Sequence, residues 1–142
     1  MDIVDANVLL YAVNTDAVHH DESRRWLDGA LSGGATVGFS WIAMLAFVRL
    51  STKLGLFPSP LDVNDALEHL DAWTAQPSAV IVHPTARHVP IVRALLSGVG
   101  TGGNLVNDAH LGALSIEHRG GVVSYDRDFG RFVGVSWRTP SR

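Results

Sequence analysis

Four aspartates carry the most suggestive chemistry in this sequence. Asp5 closes the short run Asp2-Ile3-Val4, and Asp126 follows the run Gly121-Val122-Val123-Ser124-Tyr125. Asp128 comes two residues later, and Asp108 lies within a mostly apolar helical stretch. Carboxylates that converge repel one another unless a cation neutralises them. Oxygen ligands without His or Cys select a hard ion, Mg²⁺ or Mn²⁺. A water bound to such an ion can serve as the nucleophile on a phosphodiester. Each acid also has a plain structural role open to it. Asp5 at a strand-to-helix corner is equally an N-cap, and Asp126-Arg127-Asp128 alone reads as a solvated turn. Asp108 is the hardest to explain structurally, because a buried unpaired acid is costly.

What decides between these roles is the set of elements that position the acids. The spacing predicts a strand ending at Asp5 and a helix starting at once. It predicts an amphipathic helix over His19–Leu31, with Trp26, Leu27, Ala30 and Leu31 inward. A short strand over Ala35–Phe39 follows. Ser40 then caps a helix from Trp41 to about Lys53, stopped by Gly55 and Pro58. Pro60 and Asp62 open another helix to about Thr74, and Ala79–His83 is a strand. Ala86–Leu96 is helical, and a glycine-rich loop (98–103) leads to a helix from Asn104 to His118, with Asn104 and Asn107 as its caps. Gly121–Tyr125 and Val135–Trp137 are the last strands.

Strands alternate with helices, and the strands are continuous apolar runs, so the expectation is one α/β domain spanning 1–142. It has a mainly parallel sheet with helices on both faces. In such sheets function collects at the carboxyl edge. Asp5 and Asp126 fall at that edge, and Asp108 leans over it.

The segments DANVLLYA near the start and NDAHLGALSIEHRGGVVSYDRDF near the end, with the alternation between them, resemble the PIN-domain ribonucleases. More narrowly, they resemble the toxins of VapBC toxin–antitoxin pairs. The resemblance implies a three-layer α/β/α sandwich and an acidic site of Asp5, Asp108 and Asp126 holding Mg²⁺ or Mn²⁺, with Asp128 in support. It implies RNA hydrolysis leaving a 5′-phosphate and a 3′-hydroxyl. It also implies a small cognate antitoxin, and a homodimer or toxin–antitoxin hetero-oligomer.

One position departs from that pattern. The helix after the second strand usually carries a glutamate in a segment resembling "EF-x-R", and here the segment is Met44-Leu45-Ala46-Phe47-Val48-Arg49. Ala46 stands where the glutamate would be, which leaves room for a second reading: a catalytically weakened binding module that keeps its antitoxin or RNA partner. Losing one carboxylate predicts one well-held metal ion rather than two.

Other features point less far. Arg49, Arg127 and Asn104 are the candidates for holding substrate. Arg49 could hold RNA phosphate or an antitoxin carboxylate, Arg127 suits phosphate, and Asn104 could reach the metal shell. The stretch Gly98–Gly103 matches G-x-G-x-x-G, but a helix rather than a strand precedes it, so it is no dinucleotide site. The seven histidines show no metal-binding spacing; His19 and His20 read as a solvated helix start, and His110 points away from Asp108. A phosphatase of the D-x-D type is disfavoured by Asp5-Ala6-Asn7. A receiver domain is disfavoured because the only lysine is Lys53. The apolar run Trp41–Leu56 suits docking of a second subunit or an antitoxin helix.

Composition bounds the rest. A chain of 142 residues without cysteine excludes disulfide scaffolds, zinc fingers and thiol catalysis. No apolar run reaches the roughly 18 residues of a membrane span, and no signal-peptide pattern is present, so a cytoplasmic location is expected. The net charge of −3 argues against nonspecific coating of nucleic acid. Setting aside the four clustered aspartates brings the sum to +1 (−3 + 4).

Overall fold

The computed structural model describes residues 1–141. In chain order these form β1 (Asp2–Val4), α1 (Ala6–Val13), α2 (His20–Ser32), β2 (Val37–Ser40), α3 (Trp41–Thr52) and α4 (Val63–Thr74). Then come β3 (Ala79–Val82), α5 (His88–Val99), α6 (Val106–Glu117), β4 (Gly121–Val123) and β5 (Trp137–Arg138). Short 3-10 turns occupy Gly103–Leu105 and Arg127–Arg131.

The strands align in the order β3-β2-β1-β4-β5, and every pairing is parallel. Successive strand residues face opposite sides of a sheet, and in the central strands both sides are covered. Ile3 of β1 and Val122 of β4 enter a core shared with α5 and α6. Their neighbours Val4 and Val123 enter the other core, with Leu9, Leu27, Phe47 and Leu70 from α1 to α4. Helices therefore sandwich the sheet in three layers, as the continuous apolar runs predict.

From β1 the chain builds first toward β2 and β3, then returns to the other flank of β1 for β4 and β5. The order reverses between β1 and β4, which opens a crevice at their carboxyl ends. Capping aims helices at that edge. Asp5 Oδ1 accepts from the Ala6 amide at 2.7 Å and starts α1. Ser40 Oγ accepts from the Ala43 amide at 3.3 Å and starts α3.

Several boundaries differ from the sequence expectation. The helix expected from Asn104 begins as the Gly103–Leu105 turn, and α6 proper starts at Val106. Neither Asn104 nor Asn107 caps it: buried Leu105 holds the cap position with no side-chain cap bond. Packing of Leu105 into the α5–α6 core sets the start instead of capping chemistry. Helix α5 runs later than expected, to Val99, and stops where Gly100 turns left-handed at φ 84°. β5 lies at Trp137–Arg138, beyond the left-handed turn at Gly134. Val80 and Ile81 of β3 are exposed rather than covered, because β3 is an edge strand.

Helix α6 ends in a Schellman-type turn: the Gly120 amide donates to the Ser115 carbonyl at 2.7 Å and the Arg119 amide to that of Ile116 at 3.2 Å. The left-handed position, usually glycine, is taken by Arg119 at φ 55°. Glycine is instead required one residue on, where a Cβ on Gly120 would collide with the Met1 carbonyl oxygen. No helix among the described residues is long and apolar enough to cross a membrane.

Candidate active site

The crevice between β1 and β4 gathers the predicted acids. Asp5 leaves β1, Asp126 caps the 3-10 turn that follows β4, and Asp108 projects from the first turn of α6. Carboxylate oxygens of Asp108, Asp126 and Asp128 all lie within 4.8 Å of one another. Asp5 stands beside this trio, with both oxygens engaged. Its Oδ1 accepts from the Ala6 amide, and its Oδ2 accepts from Ser124 Oγ at 2.7 Å and from Asn7 Nδ2 at 3.4 Å.

The electrostatics follow from this crowding. Burial, followed by the hydrogen-bonded and charged neighbour Asp126 and then by Asp5 and Asp128, pushes the Asp108 carboxyl up to about 7. Burial also raises Asp5 above its ordinary value, and Asp126 adds to the rise, against the bonds from Ser124 and Ala6 that lower it. A cluster of hard oxygen donors whose members resist ionising together is a donor set that fits a divalent cation of the Mg²⁺ type.

A cavity of about 160 Å³ opens beside the acids, lined by Asp5, Asp108, Asn107 and Ala46 among others. Position 46 therefore faces the acidic pocket, and its methyl group leaves space where a longer acid would reach in. The three candidate substrate residues are less engaged. Arg49 is exposed in the last turn of α3 and Asn104 in the 3-10 turn before α6. Arg127 is exposed between Asp126 and Asp128. None of the three makes an ion pair or side-chain hydrogen bond among the described residues; Arg131, by contrast, pairs with Asp128 at 3.6 Å.

Two groups escape the sequence reading. Ser124 is fully buried, and its Oγ also accepts from Asn7 Nδ2 at 3.1 Å and from the Asp126 amide at 2.9 Å. The signal was present as one small polar residue ending the apolar run before Asp126. The second is a polar chain on the far side of α6. Glu117 accepts from the Thr85 amide (2.9 Å) and hydroxyl (2.6 Å), and its Oε2 meets His88 Nδ1 at 2.7 Å. His88 Nε2 in turn lies 2.8 Å from His110 Nδ1. Burial raises the Glu117 carboxyl, but the bonds from Thr85 and His88 outweigh it and leave the group below its ordinary value. His110 thus faces α5, away from Asp108, as its spacing predicts, and this chain joins α5 to α6.

The chain is thus an all-parallel, three-layer α/β domain with a carboxylate cluster at its topological switch point. The PIN-domain family profile matches residues 3–135. The chain is 63% identical over 140 residues to ribonuclease VapC37 of Mycobacterium tuberculosis, covering 99% of this chain and 97% of that one. Among solved structures, VapBC2 from Rickettsia felis bound to a promoter DNA fragment superposes with a TM-score of 0.71 at 18% identity, covering 97% of both chains. VapC20 of M. tuberculosis, a sarcin–ricin loop cleaving toxin, gives 0.70 at 16% identity over 96% of this chain and 99% of that one. The chain belongs to the PIN-domain family, in its VapC ribonuclease branch.

Proposed function

We propose that this chain is the endoribonuclease toxin of a toxin–antitoxin pair and hydrolyses RNA with the help of Mg²⁺ or Mn²⁺. The observation that carries the reading is the convergence of Asp108, Asp126 and Asp128 at the β1–β4 crevice, in a chain 63% identical to a ribonuclease. Asp108 and Asp126 would hold the ion, with Asp5 beside them and Asp128 in support. When bound, the ion lowers the pKa of a water and offsets charge on the phosphoryl oxygens.

The chain's own residues do the rest. Ser124 and Asn7 fix the Asp5 carboxylate; the Asp126 backbone N–H donates to Ser124 Oγ, and Asp126 Oδ1 accepts from the Asp128 amide at 2.9 Å. Arg49 and Arg127, whose exposed side chains make no ion pair or hydrogen bond among the described residues, would meet RNA phosphates, and Asn104 would donate to the same strand. Ala46 leaves one acid fewer in the pocket, consistent with a single held ion. A purely binding module is not favoured, because four acids remain at the edge. For the partner we propose a small cognate antitoxin, supported by the VapBC structures that share this fold, in a homodimer or a toxin–antitoxin hetero-oligomer.

The test is cleavage of a fluorogenic RNA pool with Mg²⁺ or Mn²⁺. Cleavage that is lost in EDTA and in Asp126→Asn is the expected result. Equal cleavage by Asp5→Ala and Asp126→Asn proteins would overturn the assignment.

A further inference from the structure

On the α1–α2 flank of the sheet, three rings meet at Tyr125, the residue before Asp126 in the chain. His19 lies flat against Tyr125, with centroids 4.3 Å apart and planes 14° from parallel. Tyr11 braces Tyr125 at 5.4 Å and 55°. The Tyr125 ring cannot swing: its hydroxyl donates to Glu22 Oε1 at 2.7 Å and accepts from buried Ser23 Oγ at 3.0 Å. Its amide donates to Asn7 Oδ1 at 3.2 Å, which ties it to the residues that fix Asp5. The loop carrying His19 is pinned in turn, because His20 Nδ1 lies 2.8 Å from the Tyr11 carbonyl oxygen.

Core packing does not account for His19. The residue is exposed, its ring nitrogens make no hydrogen bond among the described residues, and its neighbour Val18 is 96% exposed. A planar ring is thus held in place on one face and wet on the other, with an apolar side chain at its border. Ordering that ring has already been accomplished by the fold, so a second planar ring can stack on it at little entropic cost. Tyr125 precedes Asp126 in the chain, and its amide bonds Asn7, which in turn bonds Asp5. The shelf and the acids are thus built on the same corner, and a single-stranded RNA is long enough to reach both.

We infer that His19, seated on Tyr125, is a nucleobase-stacking subsite for a nucleotide of the RNA bound at the acidic site. The inference rests on the ribonuclease reading above and adds a subsite to it. Tyr125 is a positioning residue: it does not meet the base but sets the plane of the ring that does. Stacking accepts every base, so the shelf favours unpaired nucleotides over any one sequence.

The test uses single-stranded RNA oligonucleotides carrying 2-aminopurine at successive positions, with two readouts. In EDTA, the wild-type protein quenches the fluorophore at one position by stacking. His19→Ala abolishes that quenching, and His19→Phe retains it. With Mn²⁺, His19→Ala raises KM by about tenfold, as expected for one lost base–aromatic stack, while kcat holds; His19→Phe restores KM. An abasic nucleotide at the quenched position raises KM for the wild type but not for His19→Ala. Cleavage with no His19-dependent quenching overturns the subsite and leaves the ribonuclease reading standing. His19-dependent quenching with no metal-dependent cleavage of any RNA overturns the ribonuclease reading and leaves His19 as a base-binding contact only. Weakened antitoxin binding by His19→Ala, with RNA unaffected, overturns the subsite in favour of a protein contact.

Discussion

Ser124 Oγ donates to Asp5 Oδ2 at 2.7 Å while accepting from the Asp126 amide at 2.9 Å. One buried hydroxyl thereby joins the acid that ends β1 to the acid that follows β4. Neither acid is left to find its place by side-chain rotation alone.

Ser124→Ala removes that link. Residues that orient metal-binding carboxylates typically contribute 10–100-fold to affinity or activity, and we expect a loss of about that size in Mn²⁺ affinity and RNA cleavage. Calorimetry and the cleavage assay read it. Full metal affinity in a folded Ser124→Ala protein would show that Asp5 holds its orientation without the hydroxyl.

Ala46→Glu puts a carboxylate into the cavity shared with Asp5 and Asp108. Mn²⁺ binding tightens by roughly tenfold, and the metal-free protein melts lower because a further like charge joins the cluster. Titration calorimetry with no change in affinity would mean that position 46 does not reach the ion.

Asp108 contributes to the pH response of the metal-free protein near neutrality. Its folded-state pKa of about 7 lies above the ordinary 3.8. Its stabilising contribution is therefore complete below about pH 4 and is lost as the pH rises through about 7. A cation needs the ionised form, so Mn²⁺ raises the melting temperature more at about pH 8 than at about pH 5.5. Asp108→Asn flattens the metal-free profile across this window. Coincident wild-type and variant profiles would exclude Asp108 as the titrating group.

Glu117 is predicted to matter for stability alone. Glu117→Ala removes the buried acceptor of the Thr85 amide and hydroxyl and of His88 Nδ1 and costs about 2 kcal/mol by chemical denaturation, with cleavage per folded molecule unchanged. Its folded-state pKa lies below the ordinary 4.5. The contribution is thus present above about pH 4.5 and lost as the pH falls through the lower folded value. Glu117→Gln should lose that acid sensitivity; a variant as acid-labile as the wild type would place the effect elsewhere.

Much of this was legible in the sequence because it rests on local pattern. The β-branched runs ending at Asp5 and before Asp126, and the cap at Ser40, need only neighbours to be read. The parallel sheet and its acidic edge follow from their alternation. What escaped depends on contacts across the sheet or between helices. Ser124 is an ordinary serine until β4 sits beside β1. Glu117 and His88 are 29 residues apart in sequence and meet only when α5 packs on α6. Leu105 displaced the expected asparagine caps because burial in the α5–α6 core outweighed local capping. The stacking of His19 on Tyr125 likewise joins the first quarter of the chain to the last.

Those long separations carry a consequence for synthesis. Asp5 and Ser124 are 119 positions apart, and the central strand β1 waits for β4, nearly the last element made, before the crevice exists. A nascent chain still lacking α6 and β4 holds one acid of the four, with β2 on one flank of β1 and the other flank, which brings Ser124, still missing. The nuclease is therefore inert throughout most of its own translation. Activity begins only once the final third of the chain has cleared the ribosome and docked, so the ribosome finishes its work before the product can cut RNA.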